Sequence, residues 1–417
     1  MTGRLARAWG PALGLLLGAC SEDKSPFDGV KPPDGLQYEH DTPWTEGSTV
    51  PPPGPGGRVL VTNSLDDTVS LLELDGATTP GWRELARVPV GLNPVELEGP
   101  HHTAVSPDGA FYYVGISNYV PGGGSGPHGA HGTGSDDGYC LKMDARDNRR
   151  VGAVRVDPNP GDVIVSKDGK TLYQSHFDTL KILEVAQRGG TEDEMHARLA
   201  IIDAETMTRK AMVSVCPAPH AIRLSPDERT AYIACWSDEV AIVDLTALTE
   251  QPRRVKVAPG SGTAISPRHQ PYALTMSPTT GDVWVSSMAS RELHVLESAT
   301  NTMNAARTKR LDGAPMFGDF SKDGKTLYVP YQGVEALLVI DAATGTTQRE
   351  IDLAPEGCLN AHQATLTPDG SHALVVCEGD HVGPGTLHAV NLADGAVVNT
   401  VRVGIFPDSV SILGGRR

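Results

Sequence analysis

The chain has 417 residues and a formal net charge of -16 that no basic cluster interrupts. Nucleic acid and anionic membrane surfaces are therefore poor partners. Its 46 Gly and 32 Pro fall largely between short apolar runs, which favours many short strands over helices; no apolar run approaches the ~20 residues of a membrane-spanning helix.

Arg4 and Arg7 precede a short apolar stretch, Ala12 to Ala19, as in an export signal. It ends Leu17-Gly18-Ala19-Cys20, which resembles the lipobox of bacterial lipoproteins. That resemblance implies removal of residues 1–19 and acylation of Cys20, hence a bilayer anchor. Ser21 in place of Asp implies the outer membrane, with the body on its periplasmic or cell-surface side. Residues 20–57 are rich in Pro, Gly, Ser and acids, as in PPPGPGG, and read as an extended tether.

The body is expected over 58–417. Its first segment, RVLVTNSLDDTVSLLELDG, reads strand, turn, strand, turn. Ser/Thr-initiated turns then recur at Ser106, Ser166, Ser225, Ser277, Ser321 and Thr367, at spacings of 60, 59, 52, 44 and 46 residues. Units of about 40–50 residues with four short strands are the signature of a propeller blade. Each unit has a strand a before the turn, a strand b after it, a strand c ending IVD or VID, and a strand d. The segment at Arg58 lacks a strand a, and the tail FPDSVSIL looks like a lone one. The expected fold is all-β: a seven-bladed β-propeller whose C-terminal strand closes the first blade.

The turns, the run LVTNSLDDTVSLLELDG and the IVD-type strands resemble the YVTN-repeat, YncE-like seven-bladed propellers, a mostly extracytoplasmic group related to lactonase-type propellers. The resemblance covers Arg58 to the C-terminus. It is specific for the fold; the repeated residues are mostly structural.

Propeller topology puts the b-to-c and d-to-a connections on one face. The long insertions gather there: 118–139, 175–196, EGDHVGPG from Glu378, and NPVELEGP before His101. Insertions on one side of a rigid scaffold mark a binding face. Within the second, Asp178 suits a helix N-cap, Leu180 and Leu183 share a side, and Gly189-Gly190 stop the run.

Five residues before each turn Ser/Thr, at the channel mouth, stand His101, Gly161, His220, Tyr272, Met316 and His362, with Asp408 at the matching place in the tail. His102 adjoins them, and His128, His131, His176 and His381 lie on the insertions. Imidazole is the commonest transition-metal ligand, so His101, His102, His220, His362 and Asp408 form a candidate Cu or Zn site. The competing reading is a structural or ligand-lining role, with the positions held apart across the channel.

Cys216 and Cys235 are 19 residues apart, as are Cys358 and Cys377. In an exported chain this equal spacing reads as two disulfides, each joining the end of a strand d to the end of the next blade's strand b. The competing reading pairs Cys216 with His220 and Cys358 with His362 as metal ligands. Cys140 is left over as a buried thiol, a reactive one or a ligand. No Cys-x-x-Cys-His, Gly-x-Ser-x-Gly, His-Glu-x-x-His or phosphate-binding Gly loop occurs. The expected role is a lipid-anchored scaffold that binds a small ligand, an envelope polymer or a protein on its insertion face. The alternative is a metal-dependent redox protein or a lactonase-type enzyme at the His-lined mouth.

Overall fold

The computed structural model describes residues 57–74, 83–92, 97–117 and 133–414. The expected signal peptide, Cys20, nearly all of the expected tether, residues 93–96, and the stretch with His128 and His131 lie outside them.

Seven antiparallel sheets follow one another in the chain. Six are built a-b-c-d in sequence order. The seventh pairs the C-terminal strand Pro407–Leu413 with Arg58–Asn63, then Thr68–Glu73 and Glu84–Pro89. This blade, blade 1, is the expected closure. Blades 2 to 7 have the inner strands Pro100–Val105, Pro160–Val165, Pro219–Leu224, Pro271–Met276, a split strand through 314–320, and Ala361–Leu366. Each inner strand abuts the next around a ring.

Apolar faces are buried between blades. Leu60, Val69 and Leu71 of blade 1 meet Tyr112, Val114 and Leu141 of blade 2. Val59, Val61, Leu72 and Val410 meet Leu374, Val376 and Leu387 of blade 7, which seals the ring. Each fully buried side chain of this size contributes about 1.5–3 kcal/mol. The tight a-to-b turns satisfy themselves: Ser106 Oγ donates to Asp108 at 2.6 Å and accepts from Phe111 N at 2.9 Å, while Gly109 takes φ +69°. The same hydroxyl–Asp pair recurs at 166/168, 225/227, 321/323 and 367/369.

Both disulfides form, Cys216–Cys235 and Cys358–Cys377, with Cα atoms 6.0 and 5.4 Å apart. Cys216 ends an outer strand as expected. Cys358 instead follows a short 3-10 turn in the crossover itself. Paired sulfurs rule out the Cys-x-x-x-His ligand reading. Cys140 is buried between blades 2 and 3, and burial pushes its thiol up to about 12, which fits the first of the three readings, a buried thiol.

The second insertion carries a helix, Thr179–Gln187, whose N-cap Asp178 accepts from Lys181 N. Its buried side is Ile182 and Val185, packed with Phe177; Leu183 is exposed, so the buried face lies two residues on from the expected Leu180/Leu183 face.

Candidate metal centre

One local device recurs at the start of the inner strands. Asn159, Ala218, Gln270, Asn360 and Phe406 each take a positive φ, and the next residue is Pro, or Ala in blade 7. The strand pairing then slips. Pro100 faces Ile116 but Thr103 faces Val114, so His101 and His102 together oppose Gly115. Equivalent slips lie at Gly161/Asp162, His220/Ala221, Tyr272, His362 and Asp408. Every hub residue in these blades thus sits in a β-bulge, which re-aims a side chain that regular pleating would turn away. The bulge also lets two consecutive residues, His101 and His102, serve one site.

The hub positions converge. In ring order Gly161 stands between His101 and His220 and has no side chain, so their Nε2 atoms meet at 2.9 Å. One nitrogen from each of His101, His102 and His220 lies within 4.8 Å of the others, and all three rings are buried. Their other nitrogens are held from behind. His101 Nδ1 lies 2.7 Å from Asp408 Oδ2, His102 Nδ1 3.1 Å from Asp162 Oδ1, and His220 Nδ1 3.2 Å from the Tyr272 carbonyl. Nδ1 anchoring of this kind fixes the ring and turns Nε2 toward an ion. His102 Nε2 is buried without a hydrogen-bond partner among the described residues. Tyr272 stacks on His220 at 3.8 Å, and Phe177 and Phe317 close the ring edges at 4.9 Å from His220 and His102.

His362 stands apart from the trio. Its Nδ1 contacts the Asp408 carbonyl, and its Nε2 lies 3.8 Å from Glu378 Oε1. Asp408 orients His101 from behind. Thr62 and Ser64 donate to its two oxygens at 2.7 Å each. His176 turns to the Arg198 carbonyl, outside the hub.

Burial holds the His101 imidazole well below its usual range, and the neighbouring His102 adds to this. Burial lifts Asp408 to about 7, against hydrogen bonds from Thr62 and Ser64. Without an ion, a protonated Asp408 can therefore donate to His101 Nδ1. His101 Nε2 then donates to His220 Nε2, and His220 Nδ1 donates to the Tyr272 carbonyl. Deprotonated, the same atoms present two bare lone pairs 2.9 Å apart, a repulsion that a cation would relieve. Asp162 behaves differently. Burial would raise it, but the Arg223 guanidinium at 2.8 Å and the His102 contact hold it down at about 2. It stays ionised and counters a cation's charge.

Three contributors escaped the sequence reading: Asp162, Phe317 and Glu378. The first two are legible as a second tier, four residues before the turn, the position His102 also holds. Glu378 follows a strand b, as Ser64 and Phe177 do. It is buried, accepts from Gln332 Nε2 at 3.1 Å and lies 2.8 Å from His381 Nε2. Burial first, then the charges of Asp408 and Glu335, raise it well above the usual carboxyl range. Asp238, in a b-to-c turn, holds backbone instead: it accepts from the NH groups of Gly262, Arg268, His269 and Gln270.

No protein-family model and no curated protein matches the chain. Solved structures do. A protein of unknown function from Desulfotomaculum acetoxidans aligns with TM-score 0.61 at 13% identity, over 86% of this chain and 99% of that one. The periplasmic gluconolactonase of Pseudomonas aeruginosa aligns with TM-score 0.59 at 16%, over 86% and 99%. A dihydro-heme d1 dehydrogenase aligns with TM-score 0.55 at 17%, over 91% and 80%. Likeness at these identities shows the β-propeller fold, and nothing finer.

Proposed function

We propose that this chain is an envelope metal-binding propeller that holds a transition-metal ion, copper in the first instance, at its hub. One observation carries the reading: three imidazoles on the bulges of blades 2 and 4 turn toward one point across Gly161, each with its Nδ1 already engaged. Bonds of about 2.0 Å at about 90° put neighbouring nitrogens about 2.8–2.9 Å apart. The 2.9 Å between His101 and His220 Nε2 favours that tetragonal arrangement, and nitrogen-rich tetragonal sites suit Cu(II). His101 and His220 are 4% and 0% exposed, a shielded setting that fits redox chemistry better than attack on a polymer. His362, Glu378 and His381 then lead from the hub toward the insertion face.

The proposal places the chain with the YVTN-repeat propellers, acylated at Cys20 and tethered to the outer membrane; the export-type N-terminus supports that location. Metal analysis of the full-length protein in detergent is the test. One tightly bound copper per chain is expected, lost when His101, His102 and His220 are replaced together by Ala. A wild-type chain that binds neither Cu nor Zn, or a triple variant that binds as wild type does, overturns the reading. Lactone hydrolysis is a second reading, supported by the gluconolactonase among the structural neighbours. It requires turnover of a gluconolactone that the triple variant loses.

A further inference from the structure

A second group of ligand-type side chains lies in blade 5, on the insertion face. His269 comes from the crossover before the inner strand Pro271–Met276. Glu292 and His294 lie two apart on the third strand, Glu292–Glu297, so they share one face of it. One ligand atom of each lies within 4.8 Å of the others. The distances are specific: His269 Nδ1 to Glu292 Oε2 is 3.3 Å, and His294 Nε2 to the same oxygen is 3.6 Å. Neither nitrogen has a hydrogen-bond partner among the described residues, and both atoms are buried. These side chains are close enough to bond and yet are not angled to do so. A tetrahedral ion with bonds of about 2.0–2.1 Å sets its ligand atoms about 3.3–3.4 Å apart.

The supports behind the three are in place. Asp238 accepts from the backbone NH groups of His269 and Gln270 at 2.8 and 2.9 Å, and Ala289 N donates to the His269 carbonyl at 3.1 Å, so the crossover presents His269 rigidly. His294 Nδ1 lies 3.4 Å from the Thr308 hydroxyl, which leaves Nε2 to face Glu292. The side chains of His269 and Glu292 are 13% and 20% exposed, so the group opens to solvent at the rim while His294 forms its floor.

We infer that His269, Glu292 and His294 form a second metal site, separate from the hub, that binds Zn2+ through two imidazoles and one carboxylate with a water in the fourth position. Two His, one carboxylate and an open position form a donor set that zinc takes readily. The ion would pin the crossover to its blade at the edge of the insertion face.

The test is Zn2+ titration of chelator-stripped full-length protein, reading stoichiometry against a competing chelator. Glu292→Gln and His269→Gln are both partly exposed changes, checked by unaltered metal-free melting. Each is expected to remove one equivalent of Zn2+ from wild type and from the His101/His102/His220 triple variant alike. If neither substitution lowers the stoichiometry in either background, the rim site is overturned. Loss of Zn2+ only in the triple variant overturns it too, while leaving the hub intact. The opposite pattern, loss only with Glu292→Gln and His269→Gln, upholds the rim site and shows that the hub takes no zinc, which leaves its copper binding to the metal analysis above.

Discussion

A Cβ at Gly161 would stand 2.8 Å from Ser175 Oγ and 3.5 Å from His220 Cδ2. That space is what lets His101 and His220 meet across blade 3. Gly161→Val suits a strand locally, so the blade should form while the added methyls push His220 away. The expected outcome is a folded protein, by circular dichroism and melting, that binds hub copper at least tenfold more weakly. Undiminished affinity would show that the imidazoles do not need the gap. A second residue-scale effect concerns a carboxylate outside the hub. Asp67 accepts from Glu98 N at 2.8 Å beside that buried carboxylate, and burial with the charges of Glu98 and Asp66 raises it to about 7. The folded state therefore holds the Asp67 proton more tightly than the unfolded chain, whose value is near 3.9. Stability is greatest while both states are protonated and is lost as pH rises from about 4 to about 7. Partial exposure screens this to on the order of 1–3 kcal/mol. Asp67→Asn keeps the acceptor and tolerates the residue's φ of +52°. It should be more stable than wild type at pH 8 and match it near pH 4 in denaturant midpoints; parallel curves would refute the assignment.

The elements around the hub are bulges held by staples. Cys235 faces Pro219 across the ladder and Cys377 faces Ala361, so each disulfide grips the strand end that precedes a hub histidine. A staple closing a loop of about 20 residues contributes about 3 kcal/mol, chiefly by limiting the unfolded chain. Replacing Cys216 and Cys235 by Ser should lower unfolding free energy by that amount, and the Cys358/Cys377 pair should do the same. A change below about 1 kcal/mol in urea titrations would mean the crossovers are already fixed without them. At this scale the sequence was only partly readable. The turn spacing aligned His101, His220, His362 and Asp408 correctly, because a hairpin turn sets strand register. It could not show convergence. That depends on the slip in strand pairing at each hub position, which in five of the blades follows a left-handed residue, and both are matters of backbone conformation. The helix was found by its Asp178 cap, while its buried face was misread. A nine-residue helix offers too few apolar positions to fix its phase, and here Phe177 and the neighbouring blade chose Ile182 and Val185.

For the whole molecule, the decisive strand is the last one. Pro407–Leu413 pairs along Arg58–Asn63, its Val410 lies in the cluster joining blades 1 and 7, and its Asp408 sits behind His101. One seven-residue strand thus closes the ring, covers a sheet edge and completes the hub. The unpaired tail in the sequence already implied closure, because a blade without an inner strand leaves both an edge and an apolar face open. A chain ending at Gly404 would expose the ladder of Arg58–Asn63 and uncover Val59, Val61 and Leu374. It should lose its cooperative melt and elute as aggregate in size exclusion. Adding residues 405–417 as a separate peptide should restore a monomer, because the site it fills is formed by complete blade 7 and by the three strands already paired in blade 1. The hub separates closure from chemistry. The same peptide with Asp408→Asn should restore the monomer and its melt, yet leave His101 without its carboxylate and weaken copper binding by about 10–100-fold. If that peptide restored both equally, Asp408 would be a closure residue only. If it restored neither, the carboxylate would be needed for the ring itself, through Thr62 and Ser64 on the strand it joins.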